Sequence, residues 1–187
     1  MLSRLPNALT LLRIALVPLL VAAFYLPYPA AQWTAFAIFI VAGITDFADG
    51  HLARAMKSQS HLGAMLDPIA DKLIVAAALV MLAAQGTLFG WALIPAIIIL
   101  AREILVSGLR EYLATLQVSV PVSSIAKWKT LLQLVAIALL IGGVPLDNVV
   151  HGTRDAGIYG LWLAAALTVY TGVAYVVASM KHFGARP

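Results

Sequence analysis

Four aspartates, Asp46, Asp49, Asp67 and Asp71, stand in the arrangement DFADGHLAR, eight residues, then GAMLDPIAD, inside an otherwise apolar stretch. One carboxylate at the centre of a membrane helix costs roughly 3 kcal/mol on insertion scales, so a set of four costs on the order of 10 kcal/mol uncompensated. A divalent cation offsets such a cost directly. With hard oxygen donors and no His or Cys in the set, magnesium, manganese or calcium is favoured over zinc. Chemistry on a phosphate ester or anhydride is what such a site serves.

Asp46 and Asp49 are three residues apart and Asp67 and Asp71 four apart, which on helices puts each pair on one face. The basic connection from Ala55 to Leu62 lets two helices run antiparallel, so that all four carboxylates converge at one membrane boundary. Gly50 and Gly63 leave room for a ligand to approach the backbone. Arg54, eight residues after Asp46, is placed to bind a phosphate bidentately. Pro68 is expected to open a helix with Asp67 as its N-cap. Two competing readings are a buried ion-pair network of the aspartates with Arg54, Lys57 and Lys72, and a cation channel. Neither accounts for the two glycines, and no predicted helix carries a polar stripe along its full length, as a pore requires.

The elements that position these residues are set by composition. The chain is 63% hydrophobic and 11% charged over 187 residues, with mean hydropathy +0.98. That reads as an all-α integral membrane protein whose solvent is lipid. Apolar runs predict six transmembrane helices near 8–27, 32–54, 67–85, 89–113, 125–143 and 157–180, forming a single transmembrane catalytic domain over 1–187. The first run is expected to be a retained helix rather than a cleaved leader, because Arg13 interrupts it and it is long enough to span. Cysteine is absent, which excludes disulfides and thiolate chemistry. The +4 charge is too scattered for a nucleic-acid surface; it suits anionic lipid headgroups. Arg4, Arg54, Lys57, Arg110, Lys127, Lys129, Lys181 and Arg186 fall on one side of the predicted spans and Arg154 alone on the other. Both termini are therefore expected in the cytoplasm, with a polar metal-containing cavity open to that side. Trp33, Trp91 and Trp162 lie near span ends, as interfacial aromatics do.

The pattern D-x-x-D-G-x-x-A-R-x8-G-x3-D-x3-D resembles the signature of the CDP-alcohol phosphatidyltransferase family. Asp46, Asp49, Gly50, Ala53, Arg54, Gly63, Asp67 and Asp71 match its fixed positions. The resemblance implies a six-helix, generally homodimeric membrane enzyme that joins a CDP-linked lipid to an alcohol and releases CMP. It further implies two divalent metal ions, Mg2+ or Mn2+, held by Asp46, Asp49 and Asp67, with Asp71 as general base, fourth ligand or both. CDP would lie against Asp49, Gly50, Ala53, Arg54, Gly63 and Asp67. Asn7 and Thr10, in N-x-LT-x-x-R at the start of the first helix, resemble family openings near the nucleotide; Asn7 reads equally as a helix N-cap.

The acceptor is read from the remaining cations. Arg110, Lys127 and Lys129 suit an anionic, phosphate-bearing alcohol, or else anchor the helix ends by snorkelling. Arg102 with Glu103 reads as an internal structural pair. The segments RE-x3-S-x2-R and K-x-KT-x2-Q are similar to a bacterial branch of the family that uses sn-glycerol 3-phosphate. That implies CDP-diacylglycerol and sn-glycerol 3-phosphate as substrates and a bacterial cytoplasmic (inner) membrane location. Inositol phosphate, serine and phosphatidylglycerol are the alternative acceptors, and an ion transporter is the alternative from another class.

Overall fold

The structure, a computed structural model, describes residues 5–56, 61–115, 117–118 and 125–183; of 5–8, 47–56, 61–65, 67, 125–127 and 181–183 it describes the backbone alone. Among the described residues there are six α-helices and no strand: α1 (Leu5–Ala23), α2 (Ala30–Met56), α3 (His61–Ala84), α4 (Leu93–Thr115, entered by a 3-10 turn over Gly90–Ala92), α5 (Ile125–Val149) and α6 (Thr153–Phe183). Among the described residues three segments, Gly90–Thr115, Trp128–Val149 and Thr153–Met180, are long and apolar enough to cross a membrane; Leu9–Ala23 and Ala30–Asp46 are shorter apolar helices. Only helices satisfy every backbone donor and acceptor without help from neighbours in lipid, which is why an apolar chain of this kind is built from them.

Helix boundaries follow local chemistry. α1 stops at Ala23, short of the expected 27, because Phe24, Tyr25 and Leu26 tighten into three-residue-back hydrogen bonds to Val21, Ala22 and Ala23. Pro27 then disfavours helical geometry at Leu26. α3 ends in a Schellman turn: Gly86, at φ +72°, donates to Ala83, and Thr87 donates to Leu82. The expected end of the fifth helix at Gly143 is a kink (φ 52°, ψ −140°, a backbone state open to glycine), after which a short helical piece runs on to Val149. α6 begins at Thr153, four residues before the expected 157, because the Asp147 carboxylate accepts from Thr153 Oγ1 at 3.1 Å and the Arg154 amide at 3.2 Å.

The largest departure concerns α3. It starts at His61, and Pro68 lies inside it. Asp67 is therefore an interior helical residue and not an N-cap. The Pro68 carbonyl accepts from Lys72 Nζ at 2.8 Å. Asn7 is likewise within α1 rather than at its cap.

The chain divides into two compact units, residues 1–88 with 137–154, and residues 89–136 with 155–187. In the first, α1 packs along both α2 and α3, whereas α2 and α3 meet over a much shorter stretch. Its buried stripes run at helical spacing: Leu16, Leu20 and Ala23 on α1; Ala35, Phe39 and Ala42 on α2; Ile74, Ala78 and Leu82 on α3. Alanines on these faces bring backbones close, as membrane helix contacts require. Leu11, Leu12, Leu19, Ile40 and Leu73 point outward and are exposed, the normal fate of large apolar residues where lipid is the solvent.

In the second unit, Val106, Leu113 and Tyr175 form a buried cluster with Leu109 and Val118 packed against it. Gly160 admits Ala136 so closely that a Cβ would sit 3.2 Å from the alanine's own. Trp91 and Trp162 stack with centroids 6.0 Å apart.

Candidate active site

The stripe that α1 buries is not purely apolar. Thr10 and Arg13 precede Leu16, Leu20 and Ala23 on the same face, and the Arg13 side chain is 0% exposed. An arginine keeps its charge at any accessible pH, so a fully enclosed guanidinium demands anions. Arg13 finds two. Its Nη1 lies 3.1 Å from Asp46 Oδ1 on α2 and also contacts Asp71 Oδ1 on α3. The carboxylates themselves are accessible, at 36% and 42%.

Among the described side chains, Asp46 and Asp71 are thus brought together by α1. The expectation had α2 and α3 facing each other directly. Instead α1 supplies the cation at which one member of each pair meets the other. The side chains of Asn7, Asp49, Gly50, Ala53, Arg54, Gly63 and Asp67 lie outside the described residues, although their backbones are helical and place them on α1, α2 and α3. Thr10 is buried at 3%. No group of three or more His, Cys, Asp or Glu side chains clusters among the described residues. The donor chemistry nonetheless fits a divalent cation, since two carboxylate oxygens from different helices already share one positively charged nitrogen.

Arg13 was legible in the sequence as an interruption of an apolar run and as the last residue of N-x-LT-x-x-R, with no role of its own. The signal that would have marked it is general: an ionised group within a span requires a partner of opposite charge, and four aspartates were waiting.

The second unit carries its own ionic network. Glu103 Oε1 accepts from Lys129 Nζ at 2.5 Å and from Arg102 Nη1 at 3.0 Å. Arg102 Nη2 also reaches Thr171 Oγ1 at 3.3 Å. The Arg102–Glu103 pair read from sequence is present; Lys129 as its third member was not foreseen. Lys129 is buried to 3%, which burial by snorkelling at a surface would not produce. Arg110 lies 5.8 Å from the Tyr175 ring centroid in a cation–π contact. Lys127 lies outside the described side chains.

Gly172 makes room for this network: a Cβ there would stand 3.0 Å from Arg102 Cγ and 3.2 Å from Nε. Gly172→Ala should be tolerated, since a flexible side chain needs to give only a few tenths of an ångström. Gly172→Leu should cost about 1–3 kcal/mol by overpacking, read as a lowered thermal midpoint in detergent.

A cavity of about 200 Å3 in the first unit is lined by Phe24, Gln32, Gln85 and Arg154 among others. It is remote from the aspartates, because Leu82, the lining residue on α3 nearest Asp71, lies eleven residues along the helix from it, roughly 16 Å at helical rise.

The sequence pattern of the family described as CDP-alcohol phosphatidyltransferase matches residues 3–171. The chain belongs to that family. Relatives matched over nearly their whole length carry the name CDP-diacylglycerol–glycerol-3-phosphate 3-phosphatidyltransferase. The one from Rickettsia bellii is 45% identical over 181 residues, covering 97% of this chain and 98% of its own. The Haemophilus influenzae protein is 42% identical, covering 91% and 90%, and that of Cereibacter sphaeroides 39%, covering 91% and 92%. For a member of this family, the match takes in α1 with Arg13 and the α4–α5 cations as well as the aspartate segment.

Proposed function

We propose that this protein transfers the phosphatidyl group of CDP-diacylglycerol to sn-glycerol 3-phosphate, forming phosphatidylglycerophosphate and CMP. The observation that carries the reading is the aspartate signature on α2 and α3, with Asp46 and Asp71 meeting at one buried cation. The near-full-length relatives named for this reaction support the acceptor.

The residues divide the work as follows. Asp46, Asp49 and Asp67, with Asp71, hold two divalent cations, Mg2+ or Mn2+. When bound, these supply neutralisation of the pyrophosphate and of the charge gathered on departing CMP. Asn7, Thr10, Gly50, Ala53, Arg54 and Gly63 cradle the CDP moiety. Arg110, Lys127 and Lys129 bind the acceptor phosphate, where cations of fixed position exchange water for charge-assisted hydrogen bonds. Asp71 accepts the proton of the acceptor hydroxyl as its oxygen bonds to the lipid-side phosphorus, and the phosphorus–oxygen bond to CMP breaks. Positioning in line supplies much of the acceleration.

Residues 1–187 act as one catalytic domain of six spans. The termini and basic connections face the cytoplasm of a bacterial inner membrane, as the Lys and Arg distribution supports, with the polar cavity open to that side. Acyl chains then stay in lipid while CDP and the soluble acceptor approach from water. Family resemblance supports a homodimer.

The test is CMP release by purified protein from CDP-diacylglycerol with glycerol 3-phosphate, inositol 1-phosphate, serine or phosphatidylglycerol offered in turn. Turnover is expected with glycerol 3-phosphate, lost in EDTA and restored by Mg2+ or Mn2+. Turnover with one of the other alcohols instead would overturn the acceptor assignment while keeping the aspartate site.

A further inference from the structure

Arg13 meets the aspartates of the site, yet the phosphatidyl-transfer chemistry assigns it no step. It is fully enclosed on α1, permanently charged, and its Nη1 is shared by Asp46 on α2 and Asp71 on α3. The two carboxylates keep 36% and 42% exposure, so part of each is left open to an ion while the guanidinium is enclosed. Without a cation, carboxylates gathered from two helices repel one another and splay. Arg13 between them holds the two in place. The same charge disfavours a dication beside it: at an effective dielectric of about 20, charges a few ångströms apart interact by several kcal/mol.

We propose that Arg13 is a built-in counter-cation of the metal site. It holds Asp46 and Asp71 in place before metal arrives, and loosens its hold on them as the metal takes over those oxygens. In doing so it weakens metal affinity while keeping α1, α2 and α3 assembled in the metal-free protein. Arg13 is thus a positioning residue, not a catalytic one. The proposal rests on the reading that these aspartates hold divalent metal, and the experiment separates the two.

Thermal unfolding of the full-length protein in detergent is followed as Mn2+ alone is titrated, for wild type, Arg13→Gln and Arg13→Lys. Wild type gains stability with Mn2+. Arg13→Gln is expected to have a lower midpoint without metal, a larger gain with it, and half-maximal stabilisation at an Mn2+ concentration at least about tenfold lower. Arg13→Lys, which keeps the charge, stays close to wild type in that concentration. A half-maximal concentration in Arg13→Gln equal to or above wild type overturns the proposal while leaving the metal site standing. Absence of any Mn2+ effect on wild type removes the metal reading and the proposal together. Should Arg13→Gln not fold, 15N spectra of arginine side chains decide on wild type, with the Arg13 signal assigned by its loss in Arg13→Lys. A shift of that signal on adding Mg2+ supports the counter-cation role, and an unmoved signal overturns it.

Discussion

Asp71→Asn is expected to reduce CMP release by about 10³-fold or more, the upper part of the range for loss of a general base. The substitution keeps shape and removes both the basic oxygen and the charge, so its effect has two separable parts. If the residue serves as base, excess Mg2+ leaves the variant inactive. If it serves only as a metal ligand, excess Mg2+ restores most of the rate. The former is expected for Asp71, and partial rescue for Asp46→Asn, since Asp46 has no assigned proton-transfer role. Each variant also deprives Arg13 of a carboxylate it contacts. A lower thermal midpoint should accompany the kinetic loss, because breaking one side of a buried ion pair leaves a charge uncompensated.

The second large effect lies on α4. Glu103→Gln leaves Lys129 and Arg102, both gathered on the same oxygen at 2.5 and 3.0 Å, facing a neutral amide. A cost of about 3–5 kcal/mol is expected from the buried lysine that has lost its anion. The double variant Glu103→Gln with Lys129→Met should recover more than half of it, since removing the pair together leaves no buried charge stranded. Measured by thermal unfolding, a double variant no more stable than the single one would place the network's value outside the Lys129–Glu103 contact. Activity separates the roles further. With Lys129 at the acceptor phosphate, Lys129→Met raises KM for glycerol 3-phosphate more than it lowers kcat, whereas a purely structural lysine would leave that KM in place.

Spans and boundaries differ in how well local sequence announces them. Helix existence follows from apolar runs, since lipid leaves the backbone few alternatives, and α4 through α6 appear where those runs lie. Boundaries depend on single interactions. Asp147 draws the start of α6 back to Thr153 by accepting hydrogen bonds across the connection. Pro68 reads locally as a helix start, yet α3 passes through it from His61. Proline removes one donor and crowds the preceding turn, a penalty that packing of α3 along α1 offsets.

By itself, the sequence determined the helical, apolar character of the chain and its family, and it put forward the aspartate set. Those properties reside in composition and in fixed short spacings, which survive being read in one dimension. The tertiary structure decided which charge meets which. Arg13 pairs with a carboxylate 58 residues away, and Lys129 with one 26 residues away. No helical periodicity encodes such distances; they are settled when the helices of each unit pack and every enclosed charge must find its opposite.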